Sequence, residues 1–285
     1  MIKSAAVIGA GQMGAGIAQV LASAGIKTLI YDTSPEATAR GMSLIEKNLA
    51  RALEKEKISE QQMQETLENL SSCEQLKDLS STDLIIEAII ENFDIKKKLF
   101  EELDSICQQS TLFATNTSSI SITKLAACTQ RPDQFVGMHF MNPVPVMKLV
   151  EIIRGMQTSE ESYQTALKVT EKIGKTAVTA KADYSGFIVN RILVPMINEA
   201  FFALMEGLAS AEEIDTAMKL GTNQPMGPLE LADFVGLDTL LSICNILQTE
   251  LGEDKYRPCP LLTKYVEAGW YGRKSGRGVY VYSQN

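Results

Sequence analysis

The chain has 285 residues, 45% hydrophobic and 22% charged, with a formal net charge of −8 and a single histidine. That length suits about two domains, and the composition excludes disordered, collagen-like and disulfide-scaffold classes. One histidine and five dispersed cysteines without a Cys-x-x-Cys pair predict no metal centre and a reducing, cytoplasmic setting, while the acidic balance argues against nucleic acid or an anionic membrane as partner.

The first apolar run is interrupted by Gly9, Gly11, Gln12 and Gly14, so it lacks the continuous block of roughly 7–15 apolar residues of a secretion leader. No window approaches the roughly 20 apolar residues of a membrane span. Residues 5–8 read as a strand, 13–24 as a helix and 28–31 as a second strand. Ser34-Pro35 then supplies a capping hydroxyl and a proline for the first helical position, opening a long helix to about residue 57. Ser59 opens another, to about residue 70. Strand-like runs follow at 83–88, 111–115, 134–140 and 148–153, with helical patterns at 95–107 and 160–174. Alternation of this kind predicts an α/β, Rossmann-like, mostly parallel sheet covered on both faces.

Around residues 181–186 the pattern changes. Residues 186–207, 211–220, 229–251 and 260–268 read as helices, and one late strand-like run falls at 278–282. The expected division is an α/β domain over 1–185 and an all-helical domain over 186–285. Phe201, Phe202, Leu204 and Met205 crowd that short helical unit, which predicts an apolar face covered by a partner subunit.

The strongest local signal is Gly9-Ala10-Gly11-Gln12-Met13-Gly14, between the first strand and the first helix. Its first glycine permits a tight turn, its second lets a pyrophosphate approach the backbone, and its third lets helix pack on strand. Alone, the motif also fits a glycine turn with no ligand. Asp32, at the end of the second strand, adds a carboxylate placed to accept from ribose hydroxyls and repel a 2′-phosphate. No arginine lies nearer along the chain than Arg40, so the pattern predicts NAD rather than NADP.

His139 stands at the carboxyl end of a strand, the edge where open α/β sheets bind ligands. Glu151, on the next strand, could stand beside the imidazole and fix its tautomer. A lone histidine satisfying a backbone carbonyl remains the alternative. Asn116-Thr117-Ser118-Ser119 ends another strand at the same edge, where small polar side chains can donate to a bound oxygen; the stretch equally suits the cap of a helix from Ser121. On the long helix, Lys47, Arg51 and Lys55 line one stripe at i, i+4, i+8, opposite Met42, Ile45, Leu49 and Leu53. A basic stripe in an acidic chain suggests a phosphate-bearing group, against the alternative of an ordinary solvated face.

These stretches resemble the NAD-dependent 3-hydroxyacyl-CoA dehydrogenase family, and within it the stand-alone short-chain 3-hydroxybutyryl-CoA dehydrogenases of bacteria. Ile-Glu-Ala-Ile-Ile-Glu-Asn at 86–92, the fifteen residues from Gly137 to Glu151, Asn-Arg at 190–191, Gly-Pro-Leu-Glu-Leu-Ala-Asp at 227–233 and Gly-Arg-Lys-Ser-Gly-Arg-Gly at 272–278 extend the likeness over nearly the whole chain. The resemblance implies oxidation of an (S)-3-hydroxyacyl-CoA to the 3-ketoacyl-CoA with NAD. It implies His139 as general base, Glu151 as its orienting partner, and Ser118 and Asn190 as hydrogen-bonding residues around the reacting oxygen. Glu91, Lys96, Asn116 and Asn142 match family positions near the cofactor's ribose or nicotinamide. The Arg51/Lys55 end of the stripe matches the place where coenzyme A phosphates are received, and a homodimer through the helical domain is implied. Ser185 departs from the family's usual proline before Gly-Phe. A related hydroxy-acid or sugar-acid dehydrogenase, or an NAD-binding protein without catalysis, are the alternatives on such a scaffold.

Overall fold

Near-continuous apolar runs frame the first half of the chain in the computed structural model, which describes residues 2–282. β1 (Ser4–Ile8) is buried from its second residue onward and leads through the glycine turn into α1 (Gln12–Ser23). β2 (Lys27–Tyr31), α2 (Pro35–Glu54), α3 (Glu60–Glu68) and β3 (Leu70–Ser72) follow. Then come β4 (Leu84–Glu87), α4 (Phe93–Ile106), β5 (Leu112–Thr115), α5 (Ile122–Ala126) and β6 (Phe135–Phe140). β7 (Leu149–Ile153), α6 (Glu160–Lys172) and β8 (Thr176–Ala180) close this part of the chain.

The eight strands form one sheet in the order β3-β2-β1-β4-β5-β6-β7-β8, parallel throughout except for the antiparallel β6–β7 pair. β4, β5 and β6 are buried at every position, as strands covered on both faces must be. The strand order reverses between β1 and β4, which opens a crevice beyond their carboxyl ends. The turn after β1 and the segment after β4 meet there. A Cβ on Gly9 would strike the Ala88 carbonyl, and Gly9 itself has a left-handed φ of 102°.

The chain divides into two compact units, Met1–Asp183 and Tyr184–Asn285. Among the described residues the second unit is built from α7 (Val189–Met205), α8 (Ala211–Thr222), α9 (Pro228–Val235), α10 (Leu237–Leu251) and α11 (Pro260–Glu267). Its core gathers Val194, Ile197, Phe201, Leu229, Leu240, Leu247 and Leu262. Phe201 is fully buried there, Phe202 and Leu204 are half-buried, and Met205, Leu208 and Leu220 are exposed. No helix among the described residues is long and apolar enough to cross a membrane.

The structure departs from the sequence expectations at several elements. β8 is read from no periodicity because only one of its five residues is buried. The helix expected to reach residue 70 stops at Glu68, so that Leu70 can start the three-residue edge strand β3. The single helix expected over 229–251 is two, broken at Gly236, whose φ of 105° no helix accepts. Residues 278–282 form no strand, only an isolated Arg277–Val281 bridge. Carboxylates take the place of a ladder there: buried Asp233 accepts from the amides of Val279 and Tyr280 and from the Tyr282 hydroxyl, and Asp215 accepts from Leu229, Glu230 and the Tyr280 hydroxyl.

Candidate active site

The glycine turn is shaped for an anion. A Cβ on Gly14 would fall on the Gly9 carbonyl oxygen, whereas a Cβ on Gly11 would meet nothing within 4 Å. Gly11 is the N-cap of α1 and offers no side-chain bond to it. The first amides of that twelve-residue helix, at Gln12, Met13 and Gly14, are therefore donors with no partner in their own helix, at the positive end of its dipole. Asp32 stands just after β2, its Oδ2 accepting from the Ala10 amide at 2.9 Å and its Oδ1 from the Ser34 amide at 3.1 Å. It borders a cleft of about 460 Å³ lined also by Thr33, Pro35, Thr38, Met42 and Cys73. A dinucleotide fits this cradle: open space at the middle glycine, helix amides for the pyrophosphate and a carboxylate for a ribose.

Two strand pairings bring the polar residues together. β5 runs parallel to β4 with Thr115 opposite Glu87, and β7 runs antiparallel to β6 with Glu151 directly opposite His139. The facing pair puts His139 Nδ1 2.7 Å from Glu151 Oε2, with the Glu151 side chain fully buried. On the far side of the ring, Nε2 lies 3.1 Å from the Ser118 hydroxyl. An ionised carboxylate can only accept, so Nδ1–H donates to it and Nε2 is left as the acceptor, to which Ser118 donates. The arrangement turns the Nε2 lone pair toward the polar loop.

That loop is held by the Glu91 carboxylate, which buried Lys96 backs. Glu91 Oε1 accepts from the Thr117 hydroxyl at 2.5 Å, the Ser118 and Ser119 amides at 2.9 and 3.0 Å, and the Ser119 hydroxyl at 2.9 Å. Lys96, 1% exposed, bridges Glu87 at 2.5 Å and Glu91 at 3.3 Å, while the Thr115 hydroxyl donates to the other oxygen of Glu87. Burial opposes ionisation of Glu91, yet Lys96 and the hydrogen bonds from the loop hold its carboxyl below the usual range. For Glu87 burial prevails and pushes the carboxyl up, against the pull of Lys96. Sequence reasoning missed Glu87 and its partner Thr115. The signal was present: a glutamate ending the otherwise apolar run Leu-Ile-Ile needs a buried partner.

The remaining residues fall in several places. Asn116 Oδ1 accepts from the Phe140 amide at 2.8 Å, tying the ends of β5 and β6, and its amide nitrogen keeps donors for a bound oxygen. Gln12 Nε2 donates to Asn142 Oδ1 at 3.0 Å, joining the glycine turn to the connection after β6. Ser121, not the 116–119 stretch, caps α5, so that loop is free of the capping role weighed for it. α2 ends at Glu54 rather than near residue 57, with Lys55 as its C-cap and Glu56 in a left-handed conformation. Lys47, Arg51 and Lys55 are exposed, and Arg51 and Lys55 sit at the helix end where the dipole favours cations, a structural reason for part of the stripe. Asn190 lies half-buried in the first turn of α7, in the second unit.

Two family models match the chain. The NAD binding domain of 3-hydroxyacyl-CoA dehydrogenase covers residues 4–184, and the C-terminal domain of 3-hydroxyacyl-CoA dehydrogenase covers residues 186–282. The chain is 53% identical over 283 residues to a probable 3-hydroxybutyryl-CoA dehydrogenase of Bacillus subtilis, covering 99% of this chain and 98% of that one. It is 51% identical to the 3-hydroxybutyryl-CoA dehydrogenase of Bradyrhizobium diazoefficiens, over 99% and 96% of the two chains. Its structure is similar to the crystal structure of (S)-3-hydroxybutyryl-CoA dehydrogenase from Ralstonia eutropha, with a TM-score of 0.96, 49% identity and full coverage of both chains.

Proposed function

The chain belongs to the 3-hydroxyacyl-CoA dehydrogenase family, and on that premise we propose that it interconverts an (S)-3-hydroxyacyl-CoA and the 3-ketoacyl-CoA, with 3-hydroxybutyryl-CoA as its substrate. NAD is held by the glycine turn, the first amides of α1 and Asp32, with Gln12, Met13, Glu91, Lys96, Asn116 and Asn142 around it. When bound, NAD supplies the nicotinamide that accepts the C3 hydride.

The observation that carries the catalytic reading is the alignment of Glu151, His139 and Ser118 at distances of 2.7 and 3.1 Å. Nε2 of His139 takes the proton of the 3-hydroxyl, and the resulting imidazolium is stabilised by the buried Glu151 carboxylate. Ser118, released from Nε2, donates to the oxygen that becomes the ketone. In the reverse direction the same Nε2 returns its proton to that oxygen. Asn190 is assigned to the reacting oxygen by the resemblance alone.

Rates of NADH formation with thioesters from C4 to C16 test the substrate, and fastest turnover at C4 is expected. Neutralising the stripe in Lys47→Gln/Arg51→Gln/Lys55→Gln is expected to raise KM for the CoA thioester about tenfold, or ~1.4 kcal/mol, and to leave a truncated thioester without the nucleotide unaffected. An equal response from both would remove the coenzyme A role of the stripe. Asp32→Ser removes the charge and an anchor of the Ala10 amide together. KM for NAD should rise, and the preference for NAD over NADP should fall about tenfold; unchanged discrimination would defeat the ribose assignment.

A homodimer through the helical unit belongs to the same reading, supported by exposed Met205, Leu208 and Leu220. Light scattering of the purified chain at the monomer mass would refute it. The five free thiols support a cytoplasmic location, and a chain recovered outside the soluble cytoplasmic fraction of its host would contradict it.

A further inference from the structure

Lys175 has no part in the chemistry above, yet it fastens the segment that carries Asn142. Gly174, with a left-handed φ of 71°, turns the chain after α6, and the Lys175 amide bonds back to the Thr170 carbonyl at 3.1 Å. From that reversal Lys175 Nζ donates to the carbonyls of Val144 and Met147, each at 2.6 Å. Both carbonyls belong to the connection between β6 and β7, where Pro145, Val146, Met147 and Lys148 are exposed and Val144 alone is buried. Such a segment has little apolar contact to hold it, so its position depends on polar ties.

Those ties lead to the glycine turn. Val144 is seated against α1 at Gly16, where an added Cβ would come 2.8 Å from the Val144 Cβ. Asn142 accepts from Gln12 at 3.0 Å, one turn earlier on the same helix. The connection therefore meets α1 at two points, and Lys175 ties it with two charge-assisted bonds. Burial lowers the Lys175 ammonium below the usual lysine range, as expected for a head group withdrawn from water to make them.

We propose that Lys175 is a positioning residue for the cofactor: through the Val144 and Met147 carbonyls it fixes the turn that presents Asn142, beside Gln12, to NAD. The proposal rests on the assignment of Asn142 to the cofactor site. Lys175→Met keeps the length of the side chain and removes the donors. It is expected to raise KM for NAD about tenfold, with kcat at saturating NAD and KM for the thioester within about twofold of the parent. Lys175→Arg, which can also donate to two carbonyls, should recover most of the loss. Asn142→Ala should raise KM for NAD as well, and adding Lys175→Met to it should add little, because both changes act through one contact.

A lowered melting temperature with an unchanged KM for NAD would overturn the proposal and leave Lys175 a purely structural clamp. Multiplying effects in the double variant would overturn it too. If Asn142→Ala alone leaves KM for NAD unchanged, the assignment of Asn142 fails and the proposal falls with it; if Asn142→Ala raises KM and Lys175→Met does not, only the proposal falls. Lys175→Leu, which also removes the donors, carries the same comparison should the methionine variant not fold.

Discussion

His139→Asn is expected to lower kcat by about 10²–10⁴, the usual worth of a positioned acid–base group. The chain holds no second histidine to take over the proton. The substitution keeps a donor that can reach toward Glu151, but it removes the Nε2 lone pair that faces Ser118. NAD affinity should stay near the parent value, because the glycine turn and Asp32 belong to β1, α1 and the end of β2 and make no bond to the imidazole. The measurement pairs steady-state NADH formation with NADH binding followed by fluorescence. A kcat within tenfold of the parent would show that another group is the base, and a parallel loss of NADH binding would show that the substitution damaged the fold rather than the chemistry.

Glu151→Gln should be nearly as severe, with a fall in kcat of about 10²–10⁴ from a change that preserves size. A glutamine amide facing Nδ1 has two ways to bond. If its nitrogen donates, Nδ1 becomes the acceptor and Nε2 carries the hydrogen, which is the wrong tautomer for a base. If its oxygen accepts, the tautomer survives but the imidazolium formed in the reaction loses the carboxylate that stabilises it. Either outcome acts on the chemical step, so KM for the thioester should move little. Because Glu151 is fully buried, a neutral residue there relieves a desolvated charge, and the variant should remain folded by thermal melting. A kcat close to the parent with Glu151→Gln would make the 2.7 Å pair a structural contact and return the orienting role to an unidentified group.

The two variants also separate the alternatives for the fold. An NAD-binding protein without catalysis would show tight NADH binding and no turnover in the parent, leaving nothing for either substitution to reduce. A dehydrogenase acting on small hydroxy acids would lose turnover in both variants but ignore the basic stripe of α2.

Much of this protein is legible in its amino-acid order because the relevant signals are local. Apolar runs alternating with helical periodicity define β1, β2 and β4 through β7 and the long helices between them, since burial of a strand in a covered sheet demands hydrophobicity. The glycine spacing at residues 9–14 specifies its own turn, because a Cβ on Gly14 would collide with the Gly9 carbonyl. The end of β2 places Asp32 for the same local reason.

Other features rest on partners far along the chain. Register decides that Glu151 stands opposite His139: a one-residue slip of β7 would turn the carboxylate to the other face of the sheet. Glu87 and Thr115 look unremarkable until β4, β5 and α4 converge on the buried Lys96 and close a charge network that reaches Ser118 through Glu91. Lys175 reads as one more polar residue between a helix and an edge strand; only its two carbonyl partners, 28 and 31 residues earlier, give it a task. Local order determined six of the eight strands, the dinucleotide turn and the single imidazole. The tertiary structure decided which charges face one another, because a hydrogen bond depends on distances and angles that sequence separation does not set.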